Sequence, residues 1–488
     1  MTQHAEHRKS VIDHLRSLGI NLVTATRLWA LQDLAILAWT ANLDAIDFIL
    51  RRSDVGIGRP PSDPAAMFRA WMLATSLGIS CPAKSADRLG TDPVLAILGG
   101  FEPTDTPGAT TFVDFMTRLT RTMRARPRVH CSHRKRVKGP GKGKKRPLRR
   151  VDVLARLQAQ LPRLSHGDEG ALQDILACIA SGSADRGLID RNRLCITGDS
   201  TVRSACANRF GGHICDDPPG TPDGHHRRFR DGDATWGWEA SRGVWIYGHR
   251  FYEITVAGCA HDLPVLIRSV GADRRDAVSR LLSYSELGSS YPDADTVAAI
   301  LDSAHDAGVL FDPFWRTSIQ AIMGLNPAHN TKHPFRLTAE GIPIGTCGHP
   351  MSPDGSSRGR LKFVRPRTRK RSAPDDQPPC PHSTASISGT AALLLHPGLA
   401  RGTEKWRLAR NDRTCAERSD TRKRNDFGPL WCRRRGRRNR TAHSFFATCC
   451  QHFAAWVQKA DDRVETVFAA IIERYMPALR DLPRHAAA

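Results

Sequence analysis

Leu194-Cys195-Ile196-Thr197-Gly198-Asp199-Ser200-Thr201 decides the fold. A short apolar, β-prone run passes through a glycine into an aspartate, the pattern of a strand that ends at a polar site. Val297-Ala298-Ala299-Ile300-Leu301 repeats it downstream and ends at Asp302. Between them, residues 244–247 and 251–256 read as two antiparallel strands joined by Gly248-His249-Arg250, and 266–270 as another. Residues 319–325 follow as a further strand, ending at Asn326. Strands interleaved with helical stretches indicate an α/β domain with a mixed sheet. In such sheets ligands and chemistry collect at strand ends. A strand-end aspartate also commonly caps the next turn or helix. Asp306, four residues beyond Asp302, competes with it for the role.

Upstream, residues 7–123 read as helical. An apolar helical pattern begins at Leu31, Leu34, Ile36 and Leu37 and runs on to Ile49 and Leu50. Pro60-Pro61-Ser62-Asp63-Pro64 stops the chain and caps a helix over 65–77; another short one precedes Gly99-Gly100, and Thr110 opens the next. Residues 124–150 read as a solvated basic linker. Helix returns over 151–190, as connecting helices. The α/β domain spans 191–460 with an insertion or extended loop at about 331–400. Helix is expected again over 441–459, and 461–488 as a C-terminal helix.

The 488 residues carry 72 Lys+Arg against 49 Asp+Glu, a net charge of +23. Residues 124–150 hold 13 basic side chains, 358–371 hold eight and 433–440 hold six, with no acidic residue in any run. The rest of the chain is slightly acidic. A body of low charge with three basic runs points to a polyanion, nucleic acid or an anionic membrane. The membrane is disfavoured because no basic run is paired with a strong apolar face. No uncharged apolar stretch reaches 18 residues and the N-terminus lacks an apolar signal core, so neither a membrane span nor a secretory signal is expected. The 13 cysteines have no regular spacing and read as reduced thiols in a cytoplasmic protein. Cys347, His349, Cys380 and His382 form two Cys-x-His pairs. A plain loop explains them better than structural zinc, whose usual spacing differs.

A third carboxylate stands out. Around Glu417, Arg410, Arg413 and Arg424 lie at offsets −7, −4 and +7, within roughly 40° of it on one helical face. A solvated helix face with i,i+4 ion pairs accounts for this spacing. So does a metal-binding carboxylate among phosphate-gripping arginines.

Together these residues resemble the bacterial insertion-sequence transposases of the DDE type, with a ribonuclease H-like catalytic core. Arg59-Pro-Pro-Ser-Asp-Pro-Ala-Ala-Met67, Arg88-Leu-Gly-Thr-Asp-Pro, and Thr110-Thr-Phe-Val-Asp-Phe115 are similar to that group's helical N-terminal domain. Gly198-Asp199-Ser-Thr201 and Leu301-Asp302-Ser-Ala-His-Asp306 resemble its two aspartate motifs. Asp231-Gly-Asp-Ala-Thr-Trp-Gly-Trp238 and Tyr247-Gly-His-Arg250 resemble the hairpin between them. Arg413-Thr-Cys-Ala-Glu-Arg418 is similar to the glutamate helix and Gln451-His452-Phe-Ala-Ala-Trp456 to its closing helix. Arg410 stands where the family has tyrosine, and Arg424 where it has lysine.

The resemblance implies a ribonuclease H-like mixed sheet flanked by helices, preceded by an all-α DNA-binding domain over 1–123. It implies Asp199, Asp302 and Glu417 as catalytic metal ligands for two Mg²⁺ ions, with Mn²⁺ as a substitute. Arg410, Arg413 and Arg424, with Lys135, Arg136, Lys144, Lys145, Arg369 and Lys370 in the basic runs, are the expected DNA contacts. The implied partners are terminal inverted repeats and target DNA, bridged by a homodimer, with the protein cytoplasmic and nucleoid-associated. The alternatives are a catalytically degraded, transposase-derived DNA-binding protein and a metal-dependent nuclease on the same core.

Overall fold

The computed structural model describes residues 3–52, 62–123, 129–131, 169–213, 226–239, 243–271, 283, 286–288, 290–305, 319–323, 336–338, 342–344, 350, 352–357, 360–364, 393–395 and 436–480. Helices come first: α1 (Gln3–Ser17), α2 (Leu22–Ala30), α3 (Gln32–Thr40), α4 (Asp44–Arg52), α5 (Pro64–Ser76), α6 (Pro82–Thr91), α7 (Pro93–Gly99) and α8 (Ala109–Leu119). Their starts follow capping chemistry. The Asp63 carboxylate accepts the Ala66 N–H at 3.0 Å ahead of α5, and Asp92 accepts the Leu95 N–H at 3.2 Å ahead of α7. Each has a proline in its first turn, where no N–H is needed. The pattern from Leu31 to Leu50 is two helices rather than one. The chain breaks at residues 41–43, where Asn42 accepts the Asp44 N–H at 2.9 Å and restarts it as α4.

The rest of the chain supplies β1 (Val129–Cys131), α9 (Ala171–Asp185), β2 (Leu194–Ser204), β3 (Gly212–His213), β4 (His226–Arg228), β5 (Thr235–Glu239), β6 (Val244–Val256), β7 (Pro264–Gly271), β8 (Thr296–Leu301) and β9 (Gln320–Met323). The main sheet is mixed and open, ordered β5-β6-β2-β8-β9, with β7 also on β6. Strand β2 runs antiparallel to β6 and parallel to β8, and β8 parallel to β9. One edge of β6 is shared end to end: β5 pairs with residues 244–248 and β7 with 249–255.

Two expectations are corrected here. Residues 244–256 form one strand of 13 residues, without a turn at Gly248-His249-Arg250. Gly248 is needed for close approach instead: a Cβ there would overlap the Arg203 carbonyl oxygen of β2. Strand β2 runs 11 residues, to Ser204, so Asp199 lies inside it rather than at its end. What ends at that level is the parallel neighbour β8.

The basic linker is not wholly solvated. Its residues 129–131 pair antiparallel with residues 226–228. The expected insertion contains β10 (Arg336–Leu337), β11 (Pro343–Ile344), β12 (Ser352–Ser357), β13 (Arg360–Val364) and β14 (Leu393–Leu395), the last three forming their own antiparallel sheet.

Helix α10 (Arg437–Ala460) is the spine of the molecule, buried along most of its length from Arg440 to Trp456. Phe446 stacks on Trp71 of α5 at 5.8 Å and packs on Phe68 at 5.1 Å. On the other side, His452 donates to the Pro264 carbonyl at 2.8 Å, so its other ring nitrogen accepts from Ser183 of α9, also at 2.8 Å. The Trp456 N–H donates to the same Ser183 oxygen at 2.7 Å. One apolar core therefore runs from the N-terminal helices through α9 and α10 to Phe251 and Ile267 of the sheet. Beyond it, the expected C-terminal helix is broken into α11 (Val464–Val467), α12 (Ala469–Ile472), a 3-10 turn and α13 (Met476–Leu479). The bends keep Val464, Phe468, Ile472 and Leu479 all buried, with Phe468 against Trp39 at 5.4 Å.

Candidate functional site

The parallel register of β2 and β8 pairs Thr197 with Ile300 and Gly198 with Leu301. The pairing ends there; Asp199 and Asp302 are the next residue on each chain segment, at the same end of the paired stretch of two adjacent strands. Where carboxylates converge they repel each other and favour a cation between them.

Asp302 is tied down behind. Its carboxylate can only accept, so the His305 Nδ1–H donates to it. The Tyr252 hydroxyl then donates to His305 Nε2 at 3.0 Å. Tyr252 fits because residue 198 is glycine; a Cβ there would overlap the phenol oxygen. His305 is fully buried, whereas the Asp302 side chain is 47% exposed. Burial works to raise the Asp302 pKa. The hydrogen bond from His305, with the N–H groups of Ala304 and His305, outweighs it and holds the carboxyl below its usual range. The pair Asp302–His305 thus presents an oriented carboxylate to solvent.

Asp199 is partly exposed, and its antiparallel partner on β6 is Glu253. That third carboxylate was not anticipated. Glu253 is 5% exposed and faces the Arg203 guanidinium at 3.8 Å, so its charge is already balanced. Arg203 also bonds Ser444 of α10 and lies over the Phe251 ring. These contacts fasten the sheet to its covering helix.

A second acid–histidine pair lies deeper. Asp231 and His249 are both buried, and the His249 Nε2–H donates to Asp231 Oδ2 at 3.1 Å. The same oxygen accepts the Gly436 N–H at 3.1 Å, and Asp233 accepts the Arg437 N–H at 3.4 Å. The two aspartates hold the start of α10, where free N–H groups and the helix dipole favour negative charge. Burial would raise the Asp231 pKa, but His249, the Gly436 N–H and the charge of Arg440 bring it below the usual value. The Tyr247 hydroxyl donates to the Asp231 carbonyl at 2.8 Å. Burial, with the charges of Asp231 and Asp233, pushes that phenol above its ordinary range.

The described arginines of the basic run 433–440 do not form a solvent-facing strip. Arg440 is 3% exposed and donates to Cys206, Arg438 donates to the Met123 carbonyl, and Arg437 to the Ser269 carbonyl. The sequence signals charge there, but tertiary packing turns these three guanidinium groups inward.

Glu417, Arg410, Arg413 and Arg424 lie outside the described residues, as do Lys135, Arg136, Lys144, Lys145, Arg369, Lys370 and Asp306. So do Cys347, His349, Cys380 and His382. Among the described residues no group of three or more His, Cys, Asp or Glu forms a metal-holding cluster. Of the three expected ligands, Asp199 and Asp302 are the two described.

The chain matches no protein-family model and no curated protein. No helix among the described residues is long and apolar enough to cross a membrane.

Proposed function

We propose that this chain is a DDE-type transposase of an insertion sequence, built on a ribonuclease H-like sheet. The observation that carries the reading is the parallel β2–β8 register, which brings Asp199 and Asp302 to the same end of the paired stretch of adjacent strands. The strand order and directions support it, since a long central strand with one antiparallel and one parallel neighbour is what that core requires. The resemblance of the motifs supplies the rest: a helical N-terminal region that binds DNA, a homodimer bridging element ends, and a cytoplasmic setting on the nucleoid.

The donors suit Mg²⁺. Both are hard carboxylate oxygens on neighbouring strands, and one is half exposed. Asp199 and Asp302 would hold the ions with Glu417. Bound there, the metal supplies activation of the attacking oxygen and stabilisation of the leaving one. The protein's own part is positioning. His305 and Tyr252 fix the Asp302 carboxylate, and Arg410, Arg413 and Arg424 grip phosphates beside Glu417. Water attacks first and frees a 3′-hydroxyl; that hydroxyl then attacks a phosphodiester of target DNA.

The test is a cleavage and strand-transfer assay on DNA carrying the element ends, with and without Mg²⁺. Asp199→Ala should lose cleavage while still binding DNA. Undiminished cleavage by that variant overturns the assignment, and cleavage without joining by the wild type assigns a nuclease instead.

A further inference from the structure

Strands β5 and β6 form a hairpin with two unlike faces. On one side Ile246 packs against Val202 of β2. On the other, cross-strand pairing sets Trp236 beside Tyr247 and Trp238 beside Trp245. Trp236 packs on Tyr247 at 5.7 Å, and Trp238 meets Trp245 edge to face at 5.5 Å. The stripe is buried at Tyr247 and opens to solvent at the other end, where Trp238 is 46% and Trp245 37% exposed. At the Trp236 end, the Arg209 guanidinium lies 5.7 Å from the Trp236 ring and 4.9 Å from Phe210, whose side chain is 47% exposed.

Folding does not require this exposure. A tryptophan pair left half in water forgoes burial worth roughly a kcal/mol or more per ring. The hairpin is also anchored to β2. Arg250 donates to the Trp238 carbonyl at 3.1 Å and to the Ser200 hydroxyl at 2.6 Å, and Ser200 follows Asp199. Glu239, at the end of β5, accepts the Val202 N–H at 3.4 Å. The Trp238 backbone is thus tied through one guanidinium to Ser200 on β2.

We propose that the Trp238–Trp245 stripe is a stacking platform for unpaired bases of single-stranded DNA. The choice of DNA rests on the function proposed above. Flat exposed rings beside a guanidinium match the π-faces of bases and the charge of the backbone. Duplex DNA hides those π-faces within the stack, so the platform selects strands that are already open. The chain's net charge of +23 supplies the long-range attraction for the polyanion.

Binding of labelled oligothymidylate and of a blunt duplex of equal length, followed by anisotropy in metal-free buffer, tests this apart from cleavage. Trp238→Ala should weaken oligothymidylate binding about tenfold, as losing one stacked base does. Trp238→Phe should restore most of it, and duplex affinity should stay within about twofold of wild type. Unchanged oligothymidylate binding by the Trp238→Ala/Trp245→Ala double variant, with duplex binding intact, overturns the platform alone. Equal losses on both DNAs also overturn it, as does a double variant that changes only the sedimentation of the protein, which would mark a contact between copies. A wild type that binds neither DNA removes the DNA reading itself.

Discussion

Asp231–His249 and Asp302–His305 are the same chemical pair in two settings. In each, a carboxylate accepts from a buried histidine and from backbone N–H groups, and is held below its usual pKa range. They differ in access. Asp231 is sealed and spends its acceptor sites on the start of α10, whereas nearly half of the Asp302 side chain faces water. Pairing with histidine therefore says little about function by itself. A carboxylate sealed from water and bonded inside the protein is structural, and one that is oriented from behind with its side chain partly open to solvent is equipped for a ligand.

Exchanging the two roles gives the largest effect. Asp302→Asn keeps an acceptor for His305 and should melt like wild type, yet lose about a thousandfold in cleavage, since several kcal/mol of transition-state stabilisation depend on the charged ligand. Asp231→Ala should do the reverse, costing about 3 kcal/mol in urea unfolding through two lost bonds and a buried imidazole left without its partner. If Asp302→Asn loses stability and keeps activity, the contrast collapses.

His305→Gln should act more gently. It leaves Asp302 in place but removes what orients it, so Mg²⁺ affinity in the cleavage assay should fall about tenfold, as for other groups that support metal ligands. Little change in the unfolding midpoint would separate this from general damage.

The smallest effect is in pH. Burial works to raise the Asp231 pKa, but the His249 bond, the Gly436 N–H and the charge of Arg440 bring it below the usual carboxylate range, while Asp233 caps the same helix start. A carboxyl lowered on folding contributes stability above its unfolded value and loses it as pH falls through the folded value. The stability gap between wild type and Asp231→Ala should therefore be constant near neutrality. Below about pH 4 it should shrink, by at most roughly 1.4 kcal/mol per pH unit. Urea midpoints of both proteins across that range measure it.

Much of the site's framework is legible in the chain. Apolar runs ending near Asp199 and Asp302 announce neighbouring strands, because alternation and strand-end chemistry are local properties. Local reading fails at Gly248-His249-Arg250. Glycine beside polar residues resembles a turn, and only the nearness of the Arg203 carbonyl shows that it serves a continuous strand. It fails likewise at Arg437, Arg438 and Arg440, which look like a solvated basic face until α10 is packed. Asp231 and Tyr252 carry no local signal for their roles, since each acts through a residue distant in sequence; His305 lies three residues from Asp302, but only its burial against Tyr252 reveals its part.

The sequence by itself determined the α/β character, the helical N-terminal region, the basic runs and the two aspartates, because propensity, periodicity and charge act over a few residues. Tertiary structure alone decided which strands neighbour one another, which carboxylate is sealed and which meets water, and which arginines turn inward. Those outcomes depend on register and burial, and both are set only when α10 closes over the sheet.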